Sequence, residues 1–222
     1  MPIEKPHPAD RDAEDSAPRI GFAMAVISTV FGILYLFGLL VNMITTGSPH
    51  STSDVFQLIS AVIAVLWNQV LVILFVTLRW RIPQKRMIFA ELALVFMVLL
   101  SATSSVNWFV RLAIFPKVAQ AGDATLLAWI DPYGERSVMF AMEHLGWGLF
   151  YGLATLFAAL AIAGGGIERW IRGLLAAGST LGLLHFIGII ISQPLLSFLG
   201  YPAWGLLLPV TTVLMAIRFR RE

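Results

Sequence analysis

Apolar residues run through this chain in six blocks, each long enough for a helix that crosses a bilayer and each closed by glycine, proline or charge. A hydrocarbon core about 30 Å thick takes about 20 apolar residues per helix. The blocks predict spans at about 20–45, 54–78, 87–115, 137–163, 167–191 and 195–217. Gly47 and Pro49 stop the first block, Pro83 sits in the turn after the second, and Pro116 ends the third. Gly164, Gly165 and Gly166 end the fourth, and Pro194 follows the fifth. These residues remove a backbone donor or leave the helical region of φ, ψ most readily. Pro209 predicts a bend inside the sixth span. Residues 1–19, rich in Pro, Asp and Glu, predict a disordered tail, and 218–222 form a basic end.

The longest loop, 117–136, has an apolar middle at 124–130 with Trp129, then the turn signature Asp131-Pro132-Tyr133-Gly134. It predicts a short helix at the membrane surface, covering whatever lies beneath.

Charge gives these spans a direction. Of the 15 Lys and Arg residues, all but Arg111, Lys117 and Arg136 fall in the N-terminal tail, the loops after the second and fourth blocks, and the C-terminal end. Loops rich in Lys and Arg stay on the cytoplasmic side. The expectation is an all-α integral membrane bundle of six helices, both termini cytoplasmic, in the inner membrane of a bacterium. Trp80, Trp170, Trp129, Tyr201 and Trp204 fall near the predicted membrane–water interfaces, as an aromatic belt would place them.

Composition agrees with this pattern. The 222 residues are 58% hydrophobic and 13% charged, against about a quarter charged in soluble domains, and the mean hydropathy is +0.82. Six spans use up the length, leaving no second soluble domain. The net charge of +2 does not point to nucleic acid, because the bases sit at helix ends. With no cysteine, thiolate catalysis, iron–sulfur ligation and Cys-based zinc sites are excluded. No span carries a lysine, which excludes a retinal Schiff base, and there is no P-loop, Gly-x-Ser-x-Gly or Asp-rich diphosphate motif. The expected partners are membrane lipids and a small lipophilic molecule; the pattern sets no oligomeric state.

In lipid, helices meet where small residues stand four apart. Gly178 and Gly182 have that spacing, as do Gly148 and Gly152, and Gly32 precedes Gly38 on the first span. Asn68 and Gln69, mid-membrane in the second span, predict interhelical hydrogen bonding.

Ionisable groups within a span cost about 2.5–3.5 kcal/mol or more at the bilayer centre, so those present need partners. They are Glu91, Arg111, Glu143, His144 and His185. Glu91 lies one turn beyond Lys85 and Arg86 and is expected to turn toward them. The other four fall in one outer layer, with Asn42, Gln57, Asn107 and Gln193. Ser104, Asn107 and Arg111 share a face of the third span, and Glu143, Trp147 and Tyr151 share a face of the fourth. If those faces meet, Arg111 and Glu143 can pair, with Trp147 and Tyr151 as an aromatic wall below. His144 and His185 could ligate a haem axially, but two histidines more simply bridge helices by hydrogen bonds, and no cofactor or metal is expected.

Asn107-Trp108-Phe109, then Pro132-Tyr133-Gly134, then Ala141-Met142-Glu143-His144-Leu145-Gly146 resemble a pattern found in a set of uncharacterised bacterial multi-pass membrane proteins. Those proteins carry Asn-aromatic-Phe near the end of one span, a Pro-x-Gly turn, and Ala-x-Glu-x-Leu-Gly opening the next. The resemblance covers about 45 residues. It implies a multi-pass fold and draws attention to Asn107 and Glu143. This chain departs from the pattern in carrying Arg111 in place of an uncharged amide and His144 after the acid.

The leading functional expectation is a small lipophilic or amphipathic ligand held in an outer-leaflet cavity. Asn107, Trp108, Arg111, Trp147 and Tyr151 would bind it, and Phe150 would line the same cavity. The alternative is an intramembrane acid–base enzyme, of isomerase, cyclase or epoxide-opening type, using Glu143 with His144 or His185. A proton-coupled transporter or a structural subunit stands behind these.

Overall fold

The computed structural model describes residues 8–46, 54–131 and 133–221. Among them the chain is helical throughout, without strands, and six helical stretches are long and apolar enough to cross a membrane. The first is α1 (Pro8–Thr46) and the second α2 (Asp54–Arg79). The third is α3 (Met87–Ala113), followed by the short helices α4 (Phe115–Ala121) and α5 (Ala124–Ile130). The fourth joins α6 (Val138–His144) to α7 (Tyr151–Ala161) through a π-turn over Leu145–Phe150. The fifth is α8 (Ile167–Ile190). The sixth begins as α9 (Pro194–Phe198), widens into a π-turn over Tyr201–Leu207 and ends as α10 (Leu208–Arg220).

Two boundaries differ from expectation. The first helix reaches back to Pro8, so residues 8–19 are helical, and only 1–7 of the expected disordered tail lie outside the described residues. Pro8 opens that helix, where its missing N–H costs nothing. Where a bend is expected at Pro209, a π-turn precedes the proline, its end marked by Leu208 N–H bonding to Ala203 O, five residues back. A proline ring crowds the turn before it and removes one rung of the ladder; the wider turn absorbs both.

The spans pack in a closed ring. α1 lies against α2, α2 against α3, α3 against α7, α7 against α8, α8 against α10, and α10 returns to α1. The glycine pairs predicted from spacing carry the α7–α8 contact. A Cβ on Gly152 would meet Leu183 Cγ at 2.8 Å, and one on Gly182 would meet the Tyr151 ring at 3.2 Å. One on Gly32 would strike Pro209 at 2.6 Å, which brings α1 onto the sixth span.

Hydrogen bonds tie the ring elsewhere. Gln69 Nε2 donates to Ser105 Oγ at 3.0 Å, Trp67 Nε1 to Ser28 Oγ at 2.8 Å, and Thr29 meets Thr212 at 2.9 Å. Asn68 does not act as the expected glue: it is buried and neither amide atom has a hydrogen-bond partner.

Basic residues gather at one end of the ring. Arg86 donates to the Leu160 and Ile162 carbonyls at 3.0 and 3.3 Å, closing the C-terminus of α7, where a cation complements the helix dipole. Arg218 pairs with Glu168 at 3.6 Å. Glu91 pairs with Arg79 at 3.0 Å, and not with Lys85 or Arg86 as its position one turn beyond them suggested. The outer faces are apolar: Phe37, Leu66, Val95 and Phe109 are exposed, as a lipid-facing surface requires.

Candidate functional site

A cavity of about 700 Å³ opens at the other end of the ring, between the ends of the six spans. Two local features shape it. Before α6, the Asp131 side chain accepts from Tyr133 N–H at 3.0 Å, its carbonyl accepts from Gly134 N–H at 3.1 Å and from the Ser137 hydroxyl, and the Ser137 side chain caps α6 at Phe140 N–H, 2.9 Å. This knot presents Tyr133 and Glu135 to the cavity. α4 and α5 do not line it, and Trp129 on α5 is exposed. Of the expected lid, only the last turn faces the space beneath.

The second feature is the π-turn in the fourth span. Gly146 and Gly148 disfavour a regular helix there, and Gly146 presses so close to α3 that a Cβ would meet Thr103 Oγ1 at 2.8 Å. Tyr151 N–H bonds to Gly146 O, five residues back. The extra residue in that turn breaks the four-apart stripe read from the sequence. Glu143 and Trp147 line the cavity, but Tyr151 does not. It is buried in the core and donates to Ala203 O at 3.0 Å. Phe150, also expected on the wall, packs against Phe96 instead.

Glu143 is the polar centre. Oε2 accepts from Asn107 Nδ2 at 2.6 Å and from Ser104 Oγ at 3.4 Å, and Oε1 accepts from Trp108 Nε1 at 3.1 Å. Trp147 Nε1 donates to Ser104 Oγ at 3.2 Å, extending the network. The faces of the third and fourth spans therefore meet as expected, but through neutral donors. The Arg111–Glu143 pair gives way to this arrangement, and the Arg111 guanidinium lies 3.7 Å from the centre of the Phe115 ring. Arg111 and Asn107 do not line the cavity; Asn107 acts behind Glu143. Gln193 is exposed, and the side chains of Asn42 and Gln57 lie outside the described ones.

The histidines meet each other. His144 Nδ1 lies 2.9 Å from His185 Nε2, and His185 Nδ1 contacts the Ser197 carbonyl. A carbonyl only accepts, so Nδ1 of His185 carries the proton. In the neutral ring its Nε2 is then the acceptor, His144 donates from Nδ1, and the lone pair of neutral His144 falls on Nε2. Two small residues make room: a Cβ on Gly200 would lie 2.7 Å from the His185 ring, and one on Gly148 would lie 3.3 Å from it. His144 lines the cavity and His185, buried, stands behind it. Their facing nitrogens stand at hydrogen-bond distance, 2.9 Å, whereas two ligands bonded at about 2 Å on opposite sides of a metal stand about 4 Å apart.

No family model matches the chain, and neither a curated protein nor a solved structure matches it. The functional reading therefore stands on this geometry.

Several wall residues gave no signal in the sequence. Tyr35 on α1 lies in a uniformly apolar run, and Trp67 on α2 stands beside Asn68 and Gln69, which drew the attention instead. Tyr201 and Trp204, expected in an interfacial belt, turn inward to the cavity, whereas Trp80, Trp129 and Trp170 are exposed as that belt requires. A hydroxyl on Tyr133 also reaches the site. Burial, and next the Glu143 charge, raise its pKa above the ordinary phenol value, with Arg111 acting in the opposite sense. A raised folded pKa means that the unfolded chain ionises first, so stability is full below about pH 10 and falls as pH rises beyond it. Tyr133→Phe is expected to flatten part of that alkaline fall in thermal unfolding curves between neutral and strongly alkaline pH. An identical alkaline limb in wild type and variant would place Tyr133 in free exchange with solvent.

Proposed function

We propose that this is a polytopic membrane protein that binds a small lipophilic or amphipathic molecule in the cavity around Glu143. The observation that carries the reading is the make-up of the wall: aromatic side chains from α1, α2, α3, the fourth span and the sixth, with two carboxylates, Glu135 and Glu143, and one imidazole, His144, among them. Apolar walls with a few polar groups, enclosing roughly 300–1,000 Å³, are the usual form of small-molecule sites. The Trp204 indole N–H supports the same reading, being buried without a hydrogen-bond partner on a residue that faces the cavity. The two π-turns flank the space, and such turns recur at functional sites. Taken with the positive-inside rule, the basic end faces the cytoplasm, both termini lie there, and the cavity opens toward the outer leaflet of a bacterial inner membrane.

The test is native mass spectrometry of the purified protein beside Ala141→Trp, which places an indole in the space from an exposed position of α6. Wild type is expected to carry a bound small molecule that the folded variant lacks. The same complement of bound species in both, or none in either, sinks the reading.

The His144–His185–Ser197 chain favours a second reading, an intramembrane acid–base enzyme. Glu143 and His144 border one cavity, and the hydrogen bonds of the two histidines assign their imidazole protons. A proton delivered to one atom of a lipophilic substrate and taken from another yields an isomer with no co-reactant. Under this reading Glu143→Gln abolishes turnover while ligand occupancy persists.

A further inference from the structure

We infer that the molecule held beside Glu143 is a lipophilic organic cation, an amine or quaternary ammonium. The inference rests on the binding reading above and adds the charge of the ligand.

Four aromatic rings from four different spans close a box on the cavity wall. Tyr35 and Trp67 stand 6.3 Å apart between ring centres, Trp67 and Trp147 5.9 Å, Trp147 and Trp204 5.9 Å, and Trp204 and Tyr35 6.1 Å. All four line the cavity. The rings are tilted to one another by 48 to 71°, as walls are and as a stack is not. For a near-square arrangement, a charge at the middle stands roughly 4 Å from each centre, inside the ~6 Å over which an aromatic face attracts a cation. Tryptophan has the strongest such face, and three of the four are tryptophan.

Among the described lining residues the formal charges have one sign, and Arg111 bears on Tyr133 from outside that lining. Glu143 lies one helical turn before Trp147, and Glu135 also lines the space, while none of the described lining residues is Lys or Arg. The Glu143 oxygens are held by neutral donors, which fix the carboxylate in place without supplying a counter-charge. An acidic or phosphate-bearing ligand would meet two carboxylates and, among the described lining residues, no Lys or Arg. A neutral hydrocarbon would fill the box but leave Glu143 without a counter-ion. A cation answers both features, because one positive centre can face the rings and the carboxylate together. The apolar remainder of the cavity then requires the rest of the molecule to be lipophilic.

A matched pair of probes tests this on the wild-type protein. Phenethyltrimethylammonium and (3,3-dimethylbutyl)benzene share a shape and differ by the charge at one atom. Binding is followed by quenching of tryptophan fluorescence in nanodiscs of zwitterionic lipid, and by competition between the two. The cation is expected to bind at least tenfold more tightly, with Trp204→Leu reducing that preference. Equal affinity, or tighter binding of the neutral compound, overturns the charge assignment and leaves the cavity as a neutral-ligand site. Saturable binding of neither compound overturns both the charge assignment and the binding reading. Glu143→Gln supplies an independent arm: a selective loss for the ammonium supports the inference, and an equal loss for both probes overturns it.

Discussion

Glu143→Ala is expected to be among the most damaging single substitutions in this chain, and Glu143→Gln clearly milder. Alanine leaves the Asn107 amide and the Trp108 indole, both on buried residues, without the acceptor they share. A buried donor stripped of its partner costs about 1–3 kcal/mol, so the pair amounts to roughly 2–6 kcal/mol. Glutamine behaves differently because of one detail. Asn107 Oδ1 has no hydrogen-bond partner. If the Asn107 amide turns over, it accepts from the new glutamine NH₂, while the glutamine oxygen still accepts from Trp108. The turned Asn107 NH₂ then stands where its oxygen had no partner, and Ser104 Oγ loses the oxygen it donated to, so glutamine keeps part of the network that alanine loses whole. Thermal unfolding in detergent should show Glu143→Ala melting far below wild type, or failing to fold, with Glu143→Gln between the two. An alanine variant as stable as wild type would mean that the network is not structural.

Gly148→Ala should lower stability by about 1–3 kcal/mol, as overpacking does, although alanine favours a helix. The new methyl would sit 2.9 Å from Phe186 Cβ and 3.2 Å from its Cα. Backbone of α8 cannot swing aside as a side-chain tip can, so the two spans must separate. Their separation also loosens the His144–His185 contact, which bridges the same helices. Gly173→Ala on α8 is the control. Nothing lies within 4 Å of its Cβ position, so only the helix preference acts, a gain of roughly 0.5–1 kcal/mol. Opposite signs for the two substitutions in the same melting assay are the expected result. Equal effects would show that contact across α7 and α8 is not what the glycines supply.

Much of the fold was legible because lipid imposes severe rules on sequence. An apolar block must be long enough to span, it must end where glycine, proline or charge ends it, and small residues four apart must mark where helices touch. Gly148, Gly152, Gly178 and Gly182 obeyed the last rule, and the second to fifth spans ended within two residues of expectation. The site was legible through cost. Glu143, His144 and His185 are too expensive in a membrane to stand alone, and the structure gives all three partners. The partner of Glu143 was misjudged because a charge suggests a countercharge, whereas three neutral donors on α3 perform the task and Arg111 turns to Phe115.

The aromatic box was not legible, and the reason is physical. In water, an apolar stripe marks the buried face of a helix. In lipid both faces are apolar, so Trp67, buried, and Leu66, exposed, look alike in sequence. Nor does helical spacing foresee a π-turn, which moved Tyr151 out of the site and into the core. The sequence by itself determined six crossings, their order, the side that carries the bases and which polar groups had to find company. Only the closed packing of those crossings decided that Tyr35, Trp67, Trp147 and Trp204 enclose one space beside Glu143, because that choice depends on rotation of each helix about its axis, which hydrophobicity in a bilayer leaves free.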